Sequence, residues 1–181
     1  FCGLATALLG SGLAGAGALP LLLAVAALML VGAIDDRFPL PGSLRFVFQA
    51  GVVLVLILVT GFGLRDLGGL LGGTTLTLGL LAVPITVIGC VGVINATNMV
   101  DGMDGVAGGL LAILFAAVWL LAGDRIEGTV ALYALVALLP FLAVNVRLPW
   151  QPRARVFFGD AGSMSAGLLV AWLLVSASQG A

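Results

Sequence analysis

Four polar side chains recur at three-residue spacing in one short stretch: Asn95, Asn98, Asp101 and Asp104. Two further acidic groups stand far from it along the chain, the pair Asp35–Asp36 and the single Asp160 in Gly159-Asp160-Ala161-Gly162-Ser163. Carboxylates and amide oxygens are hard donors that suit a divalent cation, and Mg²⁺ takes one or two carboxylates together with phosphate oxygens. The surroundings sharpen the point, because the flanking sequence is lipid-soluble. A charge at the centre of a bilayer costs on the order of 2.5–3.5 kcal/mol even on a lenient insertion scale. Such groups must line a wet cavity, bind a cation or sit at the membrane surface, and the sequence argues for the last two together.

The elements that carry them are legible in the composition. Of 181 residues, 62% are hydrophobic and 8% charged, against roughly 25% charged in a soluble domain. Residues 1–34, 67–100, 105–123, 128–146 and 161–181 contain no Asp, Glu, Lys or Arg, and a spanning helix needs about 20 such residues. Strict alternation of apolar and polar residues is absent, which argues against a β-barrel. The expected fold is all-α, a single polytopic transmembrane bundle over residues 1–181 with about six full spans and a partial first one. Phe1 opens inside an apolar run, and the chain reads as a piece of a longer protein rather than as one starting with a signal peptide. Nothing basic enough for nucleic acid is present, and Cys2 and Cys90 in their apolar runs read as small core residues.

Breakers and caps set the expected helix bounds. Pro20 opens a helix ending near Ile34, before Pro39, Pro41 and Gly42. Ser43 is the expected N-cap of a helix over 44–62. Further helices are expected over 76–99 with a kink at Pro84, and over 106–122, 129–147 and 163–178. Trp119 and Trp150 read as interfacial anchors near helix ends and Trp172 as packing. Counting crossings brings Asp35, Asp36, Asp101, Asp104 and Asp160 to one face. Arg37, Arg45, Arg147, Arg153 and Arg155 join them there, with Arg65 and Arg125 opposite. Five arginines against two make the acidic face cytoplasmic by the positive-inside rule.

A lone Asp at a helix end is ordinarily a cap or a solvated loop residue. Five on one face repel one another unless a cation or protons neutralise them. The N-terminal amides of the last helix offer an anion site, although Asp160 there could also be a plain cap. Arg45 and the group Arg147, Arg153 and Arg155 could pair with phosphate or simply anchor topology. The reading is a Mg²⁺–phosphate site at a membrane surface.

Three motifs carry a resemblance over essentially the whole chain: Gly32-Ala33-Ile34-Asp35-Asp36-Arg37, Asn95-Ala96-Thr97-Asn98-Met99-Val100-Asp101-Gly102-Met103-Asp104-Gly105, and Val156-Phe157-Phe158-Gly159-Asp160-Ala161-Gly162-Ser163. In order and spacing the chain resembles the polyprenyl-phosphate N-acetylhexosamine-1-phosphate transferases. It is most similar to the branch that moves GlcNAc-1-phosphate from UDP-GlcNAc to undecaprenyl phosphate. The resemblance implies Asn98 and Asp160 as ligands of Mg²⁺, with Mn²⁺ as a substitute. It implies Asp104 and Phe157 at the uracil, Arg45 near the diphosphate, Asn95 among the substrate-binding residues, and Asp35 and Asp36 at the lipid phosphate. Asp101 belongs to the same catalytic motif. The family's cytoplasmic N-terminal segment and a late His-bearing loop have no counterpart here, and the chain has no His.

The implied partners are a UDP-N-acetylhexosamine, undecaprenyl phosphate and the lipid bilayer, with a homodimer left open. The implied place is the bacterial inner membrane, site towards the cytoplasm. The implied reaction is attack of the lipid phosphate on the β-phosphorus with UMP leaving, directly or through an aspartyl-phosphate. The alternatives are the MurNAc-pentapeptide branch of the same family and, from another class, an ion transporter using intramembrane carboxylates. A CDP-alcohol phosphatidyltransferase needs an Asp-Gly-x-x-Ala-Arg start that Asp101-Gly102-Met103-Asp104 does not continue into.

Overall fold

The computed structural model describes residues 18–68 and 75–179. The described residues form six α-helices and no β-sheet: α1 Ala18–Arg37, α2 Gly42–Thr60, α3 Ala82–Val100, α4 Val106–Ala122, α5 Ile126–Asn145 and α6 Gly159–Gln179, with a 3₁₀ turn Gly79–Leu81 leading into α3. Five of them, all but α4, are long and apolar enough to cross a membrane. The chain is a multi-pass helical bundle, as its composition implies. The expected partial first span falls in residues 1–17, outside the described part.

α4 has 17 residues, roughly 25 Å at 1.5 Å per residue. It pairs with α5 as an antiparallel hairpin whose open end is fastened by the Gly105 N–H donating to Asn145 Oδ1 at 2.9 Å. α6 is the central element, packed against α1 and α3 and more lightly against α4. Its middle is buried nearly all round, at Met164, Gly167, Leu168, Leu169, Val170, Ala171 and Leu173. A helix apolar on every side belongs inside. α1 by contrast buries one stripe, Leu21, Val25, Leu28, Gly32 and Asp35, at the three- and four-residue spacing of a helix–helix seam.

Where that seam nears the end of the bundle, Gly32 of α1 meets the α6 backbone. A Cβ at Gly32 would stand 2.5 Å from the Ala161 Cα and N. Without a driving force from water, small residues let membrane helices approach closely. This contact sets how near Asp35 and Asp36, one turn further on, come to the start of α6.

Helix bounds differ from expectation in instructive ways. α1 continues through Asp35, Asp36 and Arg37 rather than stopping near Ile34, and α6 starts at Gly159 rather than Ser163. The acidic residues are therefore helical. Ser43 is not a cap: Pro41 holds that position, its carbonyl accepting the Leu44 and Arg45 N–H groups at 2.9 and 3.2 Å. Pro84 lies in the first turn of α3, where its missing N–H removes no helical bond. Cys90 is buried and free; Cys2 is outside the described residues. Trp119 and Trp150 are exposed, and Trp172 packs on the core.

Gly32→Val is expected to separate α1 from α6. Overpacking costs about 1–3 kcal/mol, which a drop in the thermal midpoint of detergent-solubilised protein reads. Gly51→Ala, where an added Cβ meets nothing within 4 Å, is the control and leaves the midpoint unchanged or slightly raised.

Candidate functional site

The crossing count is confirmed by contacts among the described residues, which bring the separate acidic clusters to one end of the bundle. The Asp36 carboxylate accepts two consecutive backbone N–H groups of α6, Asp160 N at 2.8 Å on Oδ1 and Ala161 N at 3.1 Å on Oδ2. Asp101, following α3, accepts the preceding Gly159 N–H on Oδ2 at 2.9 Å. The first amides of α6, expected as a possible phosphate seat, are thus occupied by carboxylates of two other segments. Gly159 makes this possible. Its φ of +70° lies in the left-handed region, and a Cβ there would sit 2.9 Å from Asp36 Oδ2.

Asp35 is buried at 5% exposure and both its oxygens are used. Oδ1 accepts the Leu40 N–H at 2.6 Å, and Oδ2 accepts from Arg45 at 2.9 Å. The same guanidinium nitrogen of Arg45 lies 3.6 Å from Asp160 Oδ2. On its other oxygen Asp160 accepts from the Asn98 side-chain amide, which also donates to Ser163 Oγ at 2.9 Å. Asp35, Asp36, Arg45, Asn98, Asp101 and Asp160 therefore form one connected cluster around the start of α6. Ser163 joins it as an acceptor, a role its place in the third motif did not reveal.

Four carboxylates share that cluster with one close arginine. The Asp101 carboxyl is held above its ordinary value of 3.8, first by burial and further by the charges of Asp160 and Asp36, against the Gly159 and Phe158 amides. The excess of negative charge is the cluster's main electrostatic property. Among the described residues no three His, Cys, Asp or Glu side chains converge to hold a metal ion. The oxygen-only donor set of Asp160 and Asn98 still fits Mg²⁺, which completes its shell with phosphate oxygens and water. Asn98 would offer its amide oxygen by a half-turn of the side chain.

Asp104 and Phe157 belong to a second group beside the first. Asp104 Oδ2 accepts from Arg147 Nε at 2.9 Å and from the Ala154 N–H at 3.0 Å. Asn145, only 3% exposed, takes the Gly105 N–H and donates to the Val156 carbonyl at 2.8 Å. It thereby ties the Asp104–Gly105 turn to the loop carrying Phe157. The Phe157 ring is 65% exposed, while neighbouring Phe158 packs on Phe141 at 4.5 Å between ring centroids. Asn145 was missed; a lone amide within the apolar run 128–146 was the available signal. Arg147 proves to be a partner of Asp104, and Arg153 and Arg155 are exposed. Asn95 lies deeper, its amide donating to Gln49 Oε1 at 2.6 Å and to the Val91 carbonyl.

Fold and site together define a multi-pass membrane protein with an acid-rich polar site at one end of the bundle. The chain belongs to glycosyl transferase family 4, whose family model matches residues 18–178. It is similar to the undecaprenyl-phosphate alpha-N-acetylglucosaminyl 1-phosphate transferase of Yersinia pestis, 38% identical over 84% of this chain and 42% of that protein. The protein of the same name from Escherichia coli K12 is 35% identical over the same shares. That of Haemophilus influenzae is 37% identical over 88% of this chain and 46% of its own length. The chain spans less than half the length of these curated relatives.

The Asp104 anchor makes a pH prediction. Its carboxyl is pushed below 3.8 by the Ala154 N–H and by Arg147. A depressed carboxyl contributes stability that is present above its unfolded value and lost as pH falls through the folded one. With Trp119 and Trp172 replaced by Phe, Trp150 fluorescence is expected to report loosening of the 146–158 loop only below 3.8. Asp104→Asn is expected to abolish that step and to speed trypsin cleavage after Arg153 and Arg155 at neutral pH.

Proposed function

We propose that the protein to which this chain belongs transfers GlcNAc-1-phosphate from UDP-GlcNAc to undecaprenyl phosphate, releasing UMP and initiating a cell-envelope polysaccharide. The carrying observation is the convergence of Asp35, Asp36, Arg45, Asn98, Asp101 and Asp160 at one bundle end. The names of the relatives support the choice of sugar and acceptor, and favour it over the MurNAc-pentapeptide branch.

A phosphate oxygen of the lipid attacks the β-phosphorus. The bond from that phosphorus to the bridging oxygen breaks, and UMP leaves with the oxygen. The lipid phosphate is largely ionised at neutral pH, since a phosphate monoester has a second pKa of about 6. The protein's task is then to position two anions against each other rather than to remove a proton. Asn98 and Asp160 would hold Mg²⁺, or Mn²⁺ in its place. The ion supplies charge neutralisation on the diphosphate and Lewis-acid polarisation of its oxygens. Arg45 pairs with the diphosphate by charge-assisted hydrogen bonds. Asp104 accepts from the uracil N–H while the exposed Phe157 ring stacks on the base.

Asp35 and Asp36 act at the lipid-phosphate side by organising it. Asp35 orients Arg45, and Asp36 fixes the start of α6. Asp101 secures the turn before it through Gly159. Both oxygens of Asp36 are engaged by amides, which favours single displacement over an aspartyl-phosphate. Asn95 contributes beneath the donor through its tie to Gln49. The acid-rich end faces the cytoplasm of a bacterial inner membrane, in keeping with five arginines at that end against two at the other. The lipid reaches it sideways and the nucleotide from water. The carboxylates within one turn of helix ends disfavour an ion transporter, which would carry them at mid-membrane.

The test is UMP release by the full-length protein in detergent with undecaprenyl phosphate. UDP-GlcNAc is expected to react, UDP-MurNAc-pentapeptide not to, and EDTA to abolish release. Asp160→Asn is expected to lower the rate by about 100-fold or more. Unchanged release in that variant would remove Asp160 from the metal site, and no UMP release by the parent protein would sink the assignment in favour of a carboxylate transporter.

A further inference from the structure

Gln49 stands inside the membrane-spanning part of α2, roughly 10 Å along the helix from its Gly42 start at 1.5 Å per residue. It is fully buried at 0% exposure. Its Oε1 accepts from Asn95 of α3 at 2.6 Å, yet its Nε2 has no hydrogen-bond partner. A buried donor left unsatisfied forfeits the water it had in the unfolded chain, and apolar groups of the same shape in such places can be neutral or stabilising. Stability alone is a poor reason for glutamine here.

The register supplies a better one. Gln49 follows Arg45 by four residues on α2, and Asn95 precedes Asn98 by three on α3, so each pair shares one helix face. The deeper members bond to each other, and the shallower members both meet Asp160. α2 has no other side-chain hydrogen bond to α3 among the described residues, and its own seams with α1 and α3 are lighter than those that α6 makes with the same two helices.

We propose that Gln49 is a positioning residue. Its bond to Asn95 fixes the sliding register of α2 on α3 and thereby holds the Arg45 guanidinium at Asp35 and Asp160. This rests on the transferase reading for its kinetic consequence but not for its structural one. The orphaned Nε2 is the stability given up for that register.

The experiment uses the full-length protein with Gln49→Met, Asn95→Leu, and the exchanged pair Gln49→Asn with Asn95→Gln. Three quantities are read: thermal midpoint, UMP release from UDP-GlcNAc, and the distance distribution between spin labels. The labels sit on cysteines replacing the exposed Val47 and Met99 in a background lacking the native cysteines. Gln49→Met is expected to keep or raise the midpoint, to broaden or shift the label distance, and to lower kcat by about tenfold to 100-fold, the penalty of a misplacement near 1 Å. The exchanged pair is expected to restore the narrow distance and at least part of kcat. An unchanged distance, or a midpoint that falls together with activity and is not rescued by the exchange, overturns the proposal. If the parent protein releases no UMP, the transferase reading fails by itself, and the label distances and midpoints still decide the role of Gln49.

Discussion

The structure depends on how the first turn of α6 is closed. Gly159, Asp160 and Ala161 present consecutive N–H groups, and the carboxylates of Asp36 and Asp101 take all three. A helix N-terminus attracts negative charge, each such contact being worth about 0.3–1 kcal/mol at an exposed site. The donors of the charge are unusual, because Asp36 lies in the last turn of α1 and Asp101 follows α3 directly. At those helix C-termini a carboxylate is unfavourable on its own helix. Each becomes favourable only when α6 arrives, so three helices that could slide in lipid are fastened at one level. The close approach at Gly32 and the left-handed turn at Gly159 are the steric conditions for that closure.

Closing the helix in this way concentrates charge, and the charge then sets what the end of the bundle can do. Asp35 is neutralised by Arg45 and by a backbone amide, Asp36 and Asp101 by the α6 amides. Asp160 is left with an amide side chain and a guanidinium at 3.6 Å. It is the one of the four whose carboxylate takes no backbone amide among the described contacts. On the proposed reading, a cation bridging to a phosphate would be held at Asp160. The four carboxylates thus divide into three that take backbone amides and one held by side chains alone, a division made by geometry and not by residue type.

Much of this was legible in the sequence. Uncharged runs marked the helices, and counting crossings brought five distant acids to one face, where hydrogen bonds and ion pairs join four of them and bind Asp104 to the adjacent loop. What the sequence obscured was local. Asp35 to Arg37 and Gly159 to Gly162 read as flanks of their helices, because their helical state is secured by partners more than 100 residues away. Ser43 failed as a cap because Pro41 already holds that position and α2 starts two residues early, at Gly42. Asn145 and Gln49 escaped because single amides in apolar runs carry no spacing pattern. Their meaning lies in the helix opposite, which one sequence does not reveal.

The depth of Gln49 and Asn95 gives the arrangement its logic. Charged groups stay within about one turn of the helix ends, where water screens them, and only neutral amides extend the polar stripe further into the apolar layer. An amide in that layer needs few partners and carries no net charge, so it can join neighbouring helices where a carboxylate would demand a counter-ion. Gln49 with Asn95 does this between α2 and α3, while Asn145, at the end of α5, ties the α4–α5 hairpin to the loop before α6 at the level of the charges. The acids at the surface and the amides below them therefore form one graded structure. Polarity falls with depth while the helix-to-helix connection is maintained, and the positions of the surface charges are inherited from the neutral bonds beneath them.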